Sequence, residues 1–234
     1  MLCNYKLGDK MVYKYIMPLI RSNMYMIVNG HSALIIDPNF SEQALQQLSD
    51  LGIEHAVIIL THEHYDHISG VNVIRDQVLD CNVFASKVCE QSVENPRKNL
   101  SAYFAAMFIG HSEEEQERAK ELFRDDYRCQ VDVGFEDEYE LIWEGLRVHM
   151  TATPGHSPGS ICITVYENED LVCLFSGDSL VRGVKVVTRL PGGNKAVYQK
   201  IAQPFLQSMP AGTIVFPGHG EEGGIEVFAE ELSC

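Results

Sequence analysis

A layered α/β domain is what this sequence predicts, on three observations. Short apolar runs rich in β-branched and aromatic residues recur at 24–28, 33–36, 56–60, 161–166, 171–175 and 213–216. Helical periodicity separates some of them, and 234 residues with 45% hydrophobic content are enough for one large domain with a full core.

Each run is bounded by turn residues and is long enough only for a strand; their continuous apolar character places several of them between two covered faces. The segment 41–51 opens on a capping Ser41, sets Ala44, Leu45, Leu48 and Leu51 on one helical face, and stops at Gly52. A second helix is expected over 195–209, broken or kinked at Pro204. Within a single domain spanning 1–234, about 87–130 forms a partly helical insertion. Ser112 and Glu115 make a capping-box pattern there, opening an acidic helix whose Ala119, Leu122 and Phe123 pack inward. The insertion is expected to be a solvated surface element; a lid over a site, or a dimer contact, is the other role open to it.

Composition excludes some functions. A net charge of −15, with Arg97-Lys98 as the longest basic cluster, argues against nucleic acid as a partner, because phosphate binding needs clustered cations. No stretch approaches the ~18 apolar residues of a membrane span, and the start MLCNYKLGDK lacks the apolar segment of a secretory signal. A cytoplasmic protein with a small-molecule substrate is expected. The seven cysteines are scattered without a CxxC pair, which reads as free thiols, with Cys162 and Cys173 as small core residues.

The chemistry is concentrated after the strands. The run at 56–60 leads into Thr61-His62-Glu63-His64-Tyr65-Asp66-His67, four potential metal ligands within six residues at the carboxyl end of a strand. His62 and His64, two apart, point the same way on extended backbone and can share an ion; Asp66 and His67 follow as the chain turns toward a helix starting near Ile68. Three more candidates repeat the pattern of a polar residue directly after an apolar run. His156 lies in Thr153-Pro154-Gly155-His156-Ser157-Pro158-Gly159, Asp178 in Phe175-Ser176-Gly177-Asp178, and His219 in Pro217-Gly218-His219-Gly220. Packing does not explain such repetition. His31 in a turn, His55 before a strand, His111 at a helix cap and His149 within a strand lack this context and read as ordinary histidines.

In this order, HxHxDH, TPGHSPG, SGD and PGHG resemble the metal motifs of the metallo-β-lactamase superfamily, over about 24–220. The resemblance implies a four-layer αββα sandwich with two divalent metal ions at one edge of the paired sheets. Zinc is the first expectation, and iron and manganese also suit such ligands. It implies that His62, His64 and His156 hold the first ion, Asp66, His67 and His219 the second, and that Asp178 bridges them. Asp66 and Asp178 are then the carboxylates expected to take part in catalysis. Asp37, in Ile35-Ile36-Asp37-Pro38, matches a further Asp that supports the site without binding metal.

A bridging Asp178 resembles the glyoxalase II-like hydrolases; true β-lactamases place Cys or Ser there or lack the bridge. Val181 stands where quorum-quenching lactonases carry a tyrosine. The implied reaction is hydrolysis of a small thioester or ester by a hydroxide bridging two ions, and a thiolate leaving group suits a site with no obvious extra acid. The sequence ends fifteen residues after His219, where glyoxalase II continues into a glutathione-binding domain, so a short single-domain relative without that grip is expected. Arg182, Lys185 and Arg189 are displaced candidates for pairing an anionic substrate group. The alternatives are a mononuclear iron persulfide dioxygenase using two His and an Asp, a lactonase or other hydrolase of the fold, and a non-catalytic sensor suggested by the acidic insertion.

Overall fold

Two mixed β-sheets stacked face to face carry the described residues, 5–233, of the computed structural model. The first runs in spatial order through β1 (Tyr5–Leu7), β2 (Lys10–Ile16), β3 (Asn23–Asn29), β4 (Ser32–Ile36), β5 (His55–Ile59), β6 (Asp80–Ser86) and β7 (Val133–Phe135). Pairing is antiparallel from β1 to β4 and parallel from β4 to β7. The second comprises β8 (Glu138–Trp143), β9 (Leu146–Ala152), β10 (Ile161–Glu167), β11 (Asp170–Gly177), β12 (Ile214–Pro217) and β13 (Gly223–Gly224), also in consecutive order, with only β11 and β12 parallel.

The continuous apolar runs are strands covered on both faces. In β3, Tyr25 and Ile27 enter the core between the sheets, whereas Met24 and Met26 face outward into a second core. In β11, Cys173 and Phe175 face the first sheet while Leu174 faces the opposite side. The outer face of the first sheet is covered by α1 (Glu42–Asp50), α2 (Tyr65–Ile68), α3 (Val71–Gln77) and α4 (Lys87–Val93). After α5 (Ser101–Phe104) and α6 (Glu113–Leu122), the outer face of the second sheet is covered by α7 (Lys195–Lys200), α8 (Ala202–Gln207) and a 3₁₀ turn that leads into α9 (Ala229–Leu232). These are the four αββα layers. Each fully buried side chain of Phe175 size contributes roughly 1.5–3 kcal/mol.

Several expectations need correction. Leu51 is the C-cap of α1 and is 38% exposed, because the helix turns away into Gly52 at φ +59°. The break in 195–209 falls at Ile201, ahead of Pro204. The ring of a proline clashes with the carbonyl four residues back, here Lys200, so the chain resets first and Pro204 sits in the first turn of α8, where no N–H is needed. α2 starts at Tyr65 rather than near Ile68. His111 lies just outside α6, whose N-cap is Ser112 with both capping-box bonds formed. β2 carries no apolar run because Lys10 and Lys14 interrupt it; both lysines are nonetheless buried, and Lys14 Nζ donates to the Gly220 carbonyl (2.6 Å).

The two sheets are joined at one edge, which is where the motifs converge. Ile161 N–H donates to the Thr61 carbonyl (2.7 Å), Asn23 N–H to the Gly218 carbonyl (2.7 Å), and Ser22 bridges to His219. Cys81, Cys89, Cys129, Cys162 and Cys173 are free thiols; Cys3 and Cys234 lie outside the described residues. No helix among the described residues is long and apolar enough to cross a membrane.

Candidate metal centre

Four strand ends deliver the cluster. Beyond β5 the backbone stays extended through His64 (φ −64°, ψ 141°), so His62 and His64 face the same way with ring centroids 4.6 Å apart. The chain then coils into α2, which places Asp66 and His67 on one buried turn. Tyr65 pins that turn: its N–H donates to the Asn99 carbonyl (2.8 Å), and its hydroxyl oxygen accepts from Arg124 N–H (2.9 Å). His156 follows β9, Asp178 follows β11, and His219 follows β12. Glycine is required at 218, since a Cβ there would run into Asp178 Oδ1.

All seven predicted residues meet in one place, as two donor groups. His62, His64 and His156 form one, with His64 Nδ1 3.1 Å from His156 Nε2. Asp66, His67 and His219 form the other: Asp66 Oδ2 lies 3.3 Å from both His67 Nε2 and His219 Nε2, which are 3.4 Å apart. Asp178 stands between them, with Oδ1 3.5 Å from His67 Nε2 and Oδ2 3.5 Å from the Nε2 atoms of both His156 and His219. Asp37, His62 and His67 also come close. Asp37 is already engaged, however: Oδ1 accepts from Thr61 N–H (2.6 Å), and Oδ2 accepts from Thr61 Oγ1 (2.5 Å) and His67 Nδ1 (3.1 Å). It orients His67 rather than offering a free donor.

These residues fit divalent cations. A tetrahedral ion with bonds of about 2.0–2.1 Å spaces its ligands about 3.3–3.4 Å apart, the spacing found among Asp66, His67 and His219. His62 Nε2 and Asp178 Oδ1 are buried without hydrogen-bond partners, which is costly unless something else satisfies them. The tautomers agree. His67 Nδ1 donates to Asp37 and His156 Nδ1 to the Val187 carbonyl (2.8 Å), leaving each Nε2 lone pair for the cluster.

Electrostatics divides the histidines. Burial, reinforced by the neighbouring imidazoles, drives His62 well below the usual imidazole range and His64 down to about 3, so both are neutral donors. Burial opposes charge on His67 and His219 as well, but the Asp66 and Asp178 carboxylates outweigh it and raise both. Asp66 is correspondingly held well below the ordinary carboxylate range by His67 and His219, against its burial.

Further residues, to which the sequence reading gave no role, support the site. Buried Glu63 accepts from Ser157 Oγ (2.8 Å), and Ser160 Oγ accepts from Ser157 N–H (3.0 Å), which ties the His156 loop to the His62–His67 loop. Asn23 Nδ2 donates to the carbonyls of Pro217 (2.9 Å) and Gly220 (3.0 Å), and Tyr25 Oη to that of Pro217 (2.7 Å), fixing the His219 loop. The four histidines set aside lie elsewhere: His31 contacts the Gly52 carbonyl, His55 pairs with Asp80, His111 approaches Glu115, and His149 approaches Glu140. Of the three displaced cations, Lys185 lines the cavity beside the cluster, and Arg182 and Arg189 do not.

A buried His/Asp donor cluster at the joined edge of an αββα sandwich defines a metal-dependent hydrolase architecture. The chain belongs to the metallo-β-lactamase superfamily, whose family model matches residues 17–219. It is 30% identical over 204 residues to the probable metallo-hydrolase YqgX of Bacillus subtilis, covering 87% of each chain. To a hydroxyacylglutathione hydrolase of Synechococcus sp. it is 26% identical over 71% of this chain and 52% of that one. Among solved structures it resembles the B3 metallo-β-lactamase BLEG-1 (TM-score 0.75, 27% identity, 94% of this chain and 97% of that one). It also resembles TTHA1623 in a di-iron-bound form (TM-score 0.70, 26% identity, 94% and 98%).

Proposed function

We propose that this metallo-hydrolase is dinuclear and opens a small thioester or ester in the manner of a glyoxalase II-like enzyme. The observation that carries the reading is Asp178, whose two carboxylate oxygens reach 3.5 Å toward both donor groups. Two ions, zinc in the first instance, would be held by His62, His64 and His156 and by Asp66, His67 and His219, with Asp178 shared. When bound, such ions supply Lewis acidity and a hydroxide at neutral pH. The chain's own contribution is to hold His62 and His64 neutral and Asp66 and Asp178 anionic, and to orient His67 and His156 through their Nδ1 atoms. Buried, satisfied loops exclude movement at the ligands, and Asp66 and Asp178 offset the positive charge of the centre. Among the described residues the further acid in the cluster, Asp37, is taken up by Thr61 and His67, so a leaving group of low pKa is favoured, which supports a thioester over an amide.

The resemblance to a B3 metallo-β-lactamase makes β-lactams the competing substrate class. The test is metal analysis of the protein combined with a panel of thioesters, esters and a chromogenic β-lactam. Two metals per chain with thioester or ester turnover is the expected result. β-Lactam turnover alone, or a single iron with oxygen uptake on glutathione persulfide, overturns the reading.

A further inference from the structure

We infer that Lys14 is a positioning residue for one half of the metal centre: it fixes His219 and so sets the hold on the ion of the Asp66–His67–His219 group, without acting on the His62–His64–His156 group. The inference rests on the dinuclear reading above and adds a residue that the donor cluster does not contain. Lys14 pairs with Tyr25 between β2 and β3, so the two side chains share the face that meets the second sheet. Asn23, two residues before Tyr25, joins them there, and its Nδ2 donates to Tyr25 Oη (3.1 Å). The three present a row of donors to the loop after β12. Tyr25 Oη (2.7 Å) and Asn23 Nδ2 (2.9 Å) reach the Pro217 carbonyl, and Asn23 N–H reaches that of Gly218 (2.7 Å). The Gly220 carbonyl accepts from Asn23 Nδ2 (3.0 Å) and Lys14 Nζ (2.6 Å). Lys14 Nζ also pairs with Glu222 Oε2 (3.0 Å), so it ties two points of the chain just beyond His219 to the first sheet.

His219 depends on this anchoring more than the other ligands do. It stands between Gly218 and Gly220, the latter at φ +73°, and glycine restricts a backbone least. Its side chain is 26% exposed, whereas those of His67, Asp66 and Asp178 are 0%, 6% and 15% exposed. Asp37 orients the His67 ring and the Val187 carbonyl the His156 ring, but His219 Nδ1 has no hydrogen-bond partner among the described residues. The ring is therefore placed by its main chain. Lys14 itself is buried, which is costly for a charge unless it is paired and hydrogen-bonded. Apolar groups in place of a buried ion pair are often at least as stabilising, so what the Lys14–Glu222 pair adds is its bond beside a ligand. The other donor group has separate supports, the Glu63–Ser157 bond and the Val187 carbonyl, neither of which involves β2.

The test titrates zinc into the full chain against a chromophoric chelator, with histidine ring ¹⁵N signals reporting which donor group each ion enters. Lys14→Met is expected to weaken binding at the Asp66–His67–His219 group by about tenfold or more and to leave the other group within about twofold. Lys14→Arg keeps a donor for both Gly220 and Glu222 and is expected to recover most of the loss. Lys14→Met leaves Glu222 without its cation, so Lys14→Met combined with Glu222→Gln serves as the folded control: it is expected to recover Tm but not the affinity. In ion-free protein, the His219 ring signals are expected to move on Lys14→Met while those of His64 and His156 stay. Equal weakening of both groups in the double variant, or weakening of neither, overturns this inference alone. An unmutated chain that takes up a single ion overturns the dinuclear reading instead; the ion-free ring signals then decide the role of Lys14, and a His219 signal that does not move overturns it.

Discussion

Asp37→Asn isolates the role of a carboxylate that touches no predicted ion. Asp37 sits at φ +51°, a conformation that Asn also adopts readily, so the backbone is expected to hold. Its Oδ1 accepts one N–H, from Thr61, and its Oδ2 accepts two donors, Thr61 Oγ1 and His67 Nδ1. An amide with its oxygen toward the Thr61 N–H turns its NH₂ toward His67. His67 must then present a lone pair at Nδ1 and move its proton to Nε2, the atom 3.3 Å from Asp66 and 3.4 Å from His219 Nε2. The flipped amide instead sets NH₂ against the Thr61 N–H, leaving buried donors opposed at about 1–3 kcal/mol. Either way the Asp66–His67–His219 group loses a lone pair or its orientation. Losing such an outer partner weakens metal affinity about 10–100-fold, or about 1.4–2.7 kcal/mol at 1.36 kcal/mol per decade. Competition against a chromophoric chelator measures the affinity, and imidazole ¹⁵N shifts followed against pH in ion-free protein report the protonation of His67 and, above its titration, its tautomer. Two ions bound within twofold of the unmutated affinity would refute the reasoning.

Asp178→Asn removes the shared charge, and metal analysis is expected to show a fall toward one ion per chain with at least a hundredfold loss in kcat for a thioester. Metal affinity is expected to climb with pH. His67 and His219 are raised above the ordinary 6.5, so their protonated forms stabilise the ion-free protein fully below about 6.5, and that contribution is lost as pH rises through their folded values. The ion must displace those protons, so titration calorimetry in buffers of different ionisation heats should show protons released on binding in that window. Pro204→Ala is expected to change Tm by no more than the equivalent of about 1 kcal/mol, because the first turn of α8 leaves that N–H without an intrahelical partner; a large stabilisation would mean that Pro204 itself interrupts the helix. Ser157→Ala leaves buried Glu63 without its hydroxyl donor and is expected to destabilise the fold by about 1–3 kcal/mol in urea unfolding.

The donor cluster was legible because each of its residues follows an apolar strand, and strand ends on one edge of a sandwich converge whatever the loops do. His62, Asp178 and His219 could be found that way without knowing the layers. The partners of those residues were hidden for physical reasons. The acceptor for His156 is the Val187 main-chain carbonyl, which no side-chain identity encodes, and Ser157 finds Glu63 across 94 positions. β2 escaped notice because Lys10 and Lys14 break its hydrophobicity, although their side chains are buried and find oxygen partners. The insertion was legible as helix and capping box, but not in its attachment. Phe104, Phe108, Ala119 and Phe123 form a separate core around Tyr65, so the turn carrying Asp66 and His67 is backed by the insertion.

That backing changes how the acidic helix α6 is understood. Its first turn holds Glu113, Glu114 and Glu115, which keeps the outer surface solvated, whereas its buried side reduces to Ala119 with Leu122 and Phe123 beyond it. Tyr65 edges against Phe104 (5.3 Å between centroids) and Phe123 (6.1 Å), and its hydroxyl takes the Arg124 N–H. The HxHxDH turn is thus clamped from outside by the insertion and from inside by Asp37 and Thr61. The opposite half of the cluster is held through His156, whose Nδ1 donates to the Val187 carbonyl. The two donor groups rest on different supports, and Asp178 spans them. A change in the backbone at Val187 therefore acts on the His62–His64–His156 group through its carbonyl, while a change in the insertion acts on the Asp66–His67–His219 group through Tyr65.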